Sequence, residues 1–263
     1  MMRIRLTMLS LLAVFAVSAV AAASASAFTK EWKVTNACVA HVGGGFEDNK
    51  CTKAKVNGGF EKFTGILGAG QSAEVTSEGG TFTLKAATVE IKCLKVTDKG
   101  TVKAGGTDEA SEILFTECTV VAPTGCKVKS EGGKQKAGEI LVKNIQTLLV
   151  ERETSAKVKV LADEFKGTGL EEVFVTLELG TTEKVEHEKE LNEKRTLTGK
   201  CTGIGIVNKV TGQVAAKVEN ATEELNFPSP ELKGNNLNAF GVKAVLVGKD
   251  KQKLVGGGTL EGV

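Results

Sequence analysis

The sequence predicts an all-β protein, mainly antiparallel, with a sandwich or barrel-like fold held by disulfides. Three observations carry that expectation. Short segments repeatedly alternate apolar and polar residues at period two, which is what a strand buried on one face requires. Glycine is abundant, 31 residues of 263 against three prolines, and it breaks those segments at turn-like intervals. Six cysteines follow an N-terminal stretch ordered like an export signal, which places them where disulfides form. A right-handed β-helix is the alternative fold, disfavoured because no repeat of rung length is visible.

The chain opens with Arg3 and Arg5, an apolar run over residues 6–22, and Ala25-Ser26-Ala27, a small-x-small end. This reads as a signal peptide over residues 1–27, cut before Phe28, and implies a secreted or cell-surface product. Residues 28–75 form an N-terminal β segment, in which Trp32 and Val34 alternate and Gly43-Gly44-Gly45 marks a turn. Residues 76–263 form the main β domain. Within it, 81–86 places Phe82 and Leu84 on one face, 89–93 places Val89, Ile91 and Cys93, and 111–120 places Ile113 and Phe115. Residues 138–142 present Ile140 and Val142, and 157–161 present Val158 and Val160. The clearest alternation is 171–179, with Val173, Val175, Leu177 and Leu179 opposite Phe174, Thr176 and Glu178.

Turn signals fall at Asp98-Lys99-Gly100, Gly105-Gly106, Pro123-Thr124-Gly125, Glu131-Gly132-Gly133 and Thr211-Gly212. Residues 182–195 are dense in charge. They suit a solvated helix held by i,i+4 pairs or a mobile insertion between strands, at the surface in either case. A last hairpin is expected between 241–247 and 253–260.

Without residues 1–27 the chain carries 32 basic and 32 acidic residues. That balance argues against a general nucleic-acid binder and gives no electrostatic reason to bind anionic membranes. No later apolar run approaches the ~20 residues that span a bilayer, so no membrane partner is expected once the signal is removed. The chain has no Tyr and one Trp, which weakens any reading built on exposed aromatic stacking.

Cys38, Cys51, Cys93, Cys118, Cys126 and Cys201 make an even set, which favours three disulfides. Zinc is disfavoured, because no CxxC occurs and neither His41 nor His187 falls at ligand spacing. Spacing favours Cys38–Cys51, Cys118–Cys126 and Cys93–Cys201. The rival places a hairpin turn at Gly105-Gly106, sets Cys93 opposite Cys118, and leaves Cys126 for Cys201.

No catalytic, cofactor-binding or metal-ligating set emerges. Gly70-Gln71-Ser72-Ala73-Glu74 lacks the second Gly of a nucleophile elbow, and His187-Glu188 continues without a second His. His41 with Glu47 and Asp48, and Glu186-His187-Glu188, read as solvated polar loops and charge runs rather than sites. Asn220-Ala221-Thr222 fits the glycosylation sequon.

The segment SEILFTECTVVAPTGCKVKSEGGKQKAGEI, followed by GKCTGIGIVNKVTGQV, resembles a set of uncharacterised exported, β-rich, cysteine-containing proteins of soil actinobacteria. The elements that carry the resemblance are Ile113 to Cys118, Cys126, Gly138-Glu139-Ile140, Cys201 and Val210-Thr211-Gly212, within residues 80–220. This chain has Glu117 where Gly is commoner and an added charged stretch at 182–195. The resemblance implies export and β architecture, and it brings no activity or site residues.

The functional expectation is an exported, non-catalytic structural or binding protein, not an enzyme, with no cofactor and an unidentified cell-envelope or protein partner. The alternatives are a secreted hydrolase using carboxylates that the fold brings together, and a protein-binding inhibitor or toxin-like module.

Overall fold

A computed structural model describes residues 30–132, 134–188, 192–219, 224–228 and 232–263. The signal segment, Phe28 and the sequon lie outside the described residues. The strands in chain order are β1 (Trp32–Phe46), β2 (Ala54–Ile66), β3 (Ser72–Gly79), β4 (Phe82–Ala86), β5 (Val89–Cys93), β6 (Lys95–Lys103), β7 (Thr107–Thr116), β8 (Thr119–Ala122), β9 (Lys127–Ser130) and β10 (Ile140–Glu153). They continue as β11 (Lys159–Lys166), β12 (Val173–Gly180), β13 (Thr182–Glu188), β14 (Asn192–Thr198), β15 (Val207–Thr211), β16 (Gln213–Glu219), β17 (Glu224–Pro228), β18 (Asn238–Ala239), β19 (Val242–Leu254) and β20 (Thr259–Gly262).

Among the described residues the chain is almost wholly β, with one 3-10 turn at Ala104–Gly106. Every ladder between named strands is antiparallel, which excludes the parallel coils of a β-helix. Eight strands close on themselves in the order β3-β6-β7-β10-β11-β16-β17-β19-β3. Closure removes the unpaired edges that an open sheet would expose.

The strands then run past the barrel rim into a second tier. β3 continues into β4, β6 is preceded by β5, β7 continues into β8, β11 into β12, and β15 leads into β16. The second tier is ordered β8-β5-β4-β19-β18-β15-β12-β9. β19 belongs to both tiers: residues 242–247 pair with β18 and β4, and residues 247–254 with β17 and β3.

The other end of the barrel is closed by β1 and β20, paired from Trp32↔Gly262 to Thr35↔Thr259. There Gly106, at φ 69°, lies so close to the Lys30 carbonyl that a Cβ would overlap it. Trp32, Val34, Val102, Leu149 and Leu260 fill this end of one continuous apolar core. Outward faces carry ion pairs such as Lys95–Glu117, Lys249–Glu219 and Lys253–Glu78. A mainly apolar inside and a charged outside differ from the water-filled lumen and apolar band of a membrane-spanning barrel. No helix among the described residues is long and apolar enough to cross a membrane.

Most alternating segments face as the sequence predicts. Phe82, Val89, Ile91, Cys93, Ile140 and Val142 are buried in the core, with Leu84, Ile113 and Phe115 packed against it. Several expectations are corrected. Asp98-Lys99-Gly100 is mid-strand in β6 rather than a turn. The described part of 182–195 is neither helix nor loose insertion: β13 and β14 pair from Thr182↔Thr198 to Glu188↔Asn192. Glu186 there faces Lys194 across the ladder, and Arg195 pairs with Glu183 at 3.5 Å, so cross-strand contacts replace the helical ones. Leu197 on the same hairpin is buried.

Val158 is exposed, and Val160 packs on the barrel's outer face with Val150, Ala162 and Ala215 under Leu232. The inward residues of that strand are Leu161, Asp163 and Phe165. In β12, Val175, Leu177 and Leu179 face the core as expected. Phe174 joins them because a bulge shifts the register between Val173 and Val175, and Glu178 is buried against Lys129. The final hairpin does not form, because β19 is taken by four other strands and β20 crosses to β1.

Candidate functional site: an apolar cavity with an acidic floor

All six cysteines are paired, as Cys38–Cys51, Cys93–Cys118 and Cys126–Cys201. The Cys118–Cys126 and Cys93–Cys201 preference is therefore corrected in favour of its rival. The cause is register. The turn at Ala104–Gly106 lets Lys95 pair with Thr116, while Lys92 pairs with Thr119 in the other tier. Cys93 and Cys118 sit between those two pairs and must face one another. Cys126 precedes the Lys127↔Gly180 pair, and Cys201 follows the hairpin that springs from Gly180.

The Cys93–Cys118 bridge borders the interior where the two tiers meet, and Cys93 lines a cavity of about 110 Å³ there. Phenylalanines dominate its wall. Phe82 stands edge-on to Phe115 and Phe227, at 5.5 and 5.4 Å between ring centres, and Phe165 packs on Phe227 at 5.3 Å. Phe174, Val175 and Leu177 of β12 close the side. Among the described residues that line the cavity, only Asp98 and Asp250 are ionisable.

Those two carboxyls are the upper members of a group. Asp98 shares the inward face of β6 with Val96 and Val102, and Asp250 shares that of β19 with Gln252 and Leu254. Below them Asp163 projects from the Leu161/Phe165 face of β11, and Asp108 from the Ala110 face of β7, opposite Thr147. All four aspartates are buried.

The hydroxyl of Ser77 on β3 contacts Oδ2 of both Asp98 and Asp250. One hydroxyl proton cannot serve two acceptors, so a carboxyl proton completes the set. Burial pushes Asp98 up to about 7, reinforced by the neighbouring charge of Asp250 and opposed by the Ser77 hydrogen bond. Burial also raises Asp250, with the Ser77 and Asp98 hydrogen bonds opposing. Asp163 has no solvent exposure, neither of its oxygens meets hydrogen-bond geometry, and burial pushes it up to about 7. The Thr147 hydroxyl is near enough to hold Asp163 down slightly without making a formed bond. Asp108 lies well above the carboxylate range, through burial first and then the charges of Asp163 and Asp98, with Lys103 opposing. Taken together, the barrel interior holds protons at neutral pH that surface aspartates would have lost.

The motifs that sequence reasoning weighed and set aside lie elsewhere. His41 Nδ1 is 3.5 Å from Glu61 on the β1–β2 arm. Asp48 caps a turn by accepting from Thr52 Oγ1 and the Thr52 and Lys53 amides, and the Thr52 hydroxyl leads in holding it down at about 2. Glu47 pairs with Lys55 at 3.6 Å, so these three groups do not converge. Glu186, His187 and Glu188 belong to the β13–β14 hairpin. No cluster among the described residues has the side chains to hold a metal ion.

The aspartates were missed because each looks ordinary locally. The signal that finds them is an acid in the apolar register of a strand: Val96-x-Asp98, Leu161-x-Asp163-x-Phe165, Asp250-x-Gln252-x-Leu254. In comparisons with known proteins, the chain matches no family model, and no curated protein and no solved structure matches it.

Proposed function

We propose that this chain is an exported, non-catalytic binding protein, secreted or held at the cell surface, that takes a small apolar molecule into the cavity between its two tiers. The observation that carries the reading is a cavity walled by phenylalanine and aliphatic side chains, with Asp98 and Asp250, the ionisable groups among its described lining residues, brought together on Ser77. That is the arrangement by which proteins bind small molecules: apolar walls supply affinity and a few placed polar groups supply orientation. Three disulfides and the export-like N-terminus support the location. The resemblance to exported actinobacterial proteins agrees with it.

The test is entry of xenon, followed by NMR or by its stabilisation of the fold. Xenon should stabilise the native chain and lose that effect in Val214→Phe, which fills the cavity. Equal behaviour of the two proteins would remove the reading.

The Asp98–Asp250 pair also speaks for the carboxylate-based hydrolase, since two acids sharing a proton are suited to general acid–base work. An almost wholly apolar wall favours binding over hydrolysis, because it offers few groups to hold water or a polar scissile bond. Turnover of glycoside or ester substrates that disappears in both Asp98→Asn and Asp250→Asn would reverse that preference.

A further inference from the structure

We propose that the molecule held in the cavity is a small protonated amine, its apolar body against the phenylalanine wall and its ammonium group between Asp98 and Asp250. This rests on the binding reading above and names the ligand's polar end. A neutral apolar ligand would account for the wall and leave the carboxyls without a purpose. Burying four aspartates together is costly, and cores without a polar task fill such positions with apolar side chains.

The carboxyls are incompletely served by the protein. Asp250 is 6% exposed, lines the cavity, and its Oδ1 has no donor in hydrogen-bond geometry. Asp163 directly behind has both oxygens in that state, and Asp108 has Oδ1. Among the described residues no cation pairs with these acids, and Lys103 acts on Asp108 only from the rim. The buried Lys129 is 2.8 Å from Glu178 on the second tier, and Lys103 reaches Glu109 at 3.3 Å on the outside. Asp250 therefore presents an open acceptor to the cavity beside the Asp98 carboxyl, and no described cation pairs with either.

The chemistry selects among cations. A metal ion needs three or more ligands converging on a point, and no such group exists among the described residues. An ammonium needs only acceptors on one side, and its three N–H donors match the Asp98 carboxyl, the Asp250 carboxyl and Ser77 Oγ. Size points the same way. A dry cavity of about 150 Å³ holds benzene, so one of about 110 Å³ suits a short alkylamine. Protons balance in a simple way: the incoming ammonium keeps its proton, and the carboxyl that was protonated releases one to solvent.

The experiment is calorimetric titration of the native, disulfide-intact protein with n-butylamine, 1-butanol and n-pentane, probes of matched size. At pH 8 the amine should bind about ten- to hundredfold tighter than the alcohol, as expected for a hydrogen bond to a charged group. Asp250→Asn should erase that advantage while leaving pentane binding within about twofold, and Asp98→Asn serves the same test should Asp250→Asn fail to fold. Near pH 6, in buffers of different ionisation enthalpy, amine binding should release up to about one proton and pentane none. The groups that set this release are Asp98, Asp250, Asp163 and Asp108, with Lys103 at the rim.

If pentane binds and the amine shows neither an advantage nor proton release, the amine proposal is overturned and the apolar-cavity reading stands. If pentane itself does not bind, the cavity reading falls and takes the amine proposal with it.

Discussion

Replacing Asp163 with Asn should make the protein less stable in mild acid and equally or more stable in mild base. Asp163 is fully buried, and its carboxyl titrates near 7 in the folded chain against 3.8 for the ordinary group. A raised folded value means the native state holds a proton that the unfolded chain has released. Its contribution to stability is thus complete below about 3.8 and is lost as pH rises through about 7. Each pH unit in that window costs about 1.4 kcal/mol per such group, so Asp163 alone removes about 3 kcal/mol between pH 5 and pH 8.

Asn is isosteric and does not titrate. It leaves an amide without partners, at a pH-independent cost of about 1–3 kcal/mol. The two stability curves should therefore cross between pH 5 and 8, the variant lying below at pH 5 and level or above at pH 8. Urea unfolding followed by fluorescence of the single, buried Trp32 measures this, with disulfides intact. Above pH 5 surface carboxylates such as Asp48, already held near 2, add no slope of their own. Asp98, Asp108 and Asp250 add slope of the same sign, with Lys103 opposing at Asp108. Parallel curves for wild type and variant, or a wild type whose stability rises from pH 5 to 8, would refute the reasoning.

Four further outcomes are expected. Val175→Asp, which sets a new carboxylate in the cavity wall, should cost several kcal/mol in denaturant melts, while Thr176→Asp on the other face should cost far less; equal losses would show that the strand does not distinguish its faces. Lys129→Ala should cost about 3–5 kcal/mol by stranding the buried Glu178, and Lys129→Met combined with Glu178→Leu should recover much of it; a double variant as weak as the single one would contradict this. Replacing Cys126 and Cys201 together by Ser should cost about 4–5 kcal/mol, because that bridge closes a 75-residue separation. Peptide mapping of the native chain should recover Cys126–Cys201 and Cys93–Cys118 peptides, and a Cys118–Cys126 peptide would contradict the register described above.

The strand content was legible because alternation is local, and segments such as Val89-x-Ile91-x-Cys93 show their buried face within five residues. The acidic floor was not legible, because it depends on which distant strands close the barrel. Asp98-Lys99-Gly100 has turn chemistry, and the ladders with β3 and β7 on its two sides show why it stays extended: Gly100 lies against the Glu109 carbonyl, where a Cβ would not fit. Asp163 drew no attention, since nothing near it in sequence resembles a site. The hairpin at 182–195 was hidden by composition, because Glu/Lys-rich segments suit a helix surface as well as a cross-strand ladder. The disulfide pairing turned on one small fact, the length of the turn at Ala104–Gly106, and the preference for short loops pulled the other way.

β1 and β20 bring residues 31 and 263 together, their backbones exchanging hydrogen bonds in both directions. From residue 31 to residue 263 the folded chain is therefore nearly a circle, cut at the β1–β20 end of the barrel. A tether at residue 30 and a fusion after residue 263 would leave from that same end, with the second tier at the other.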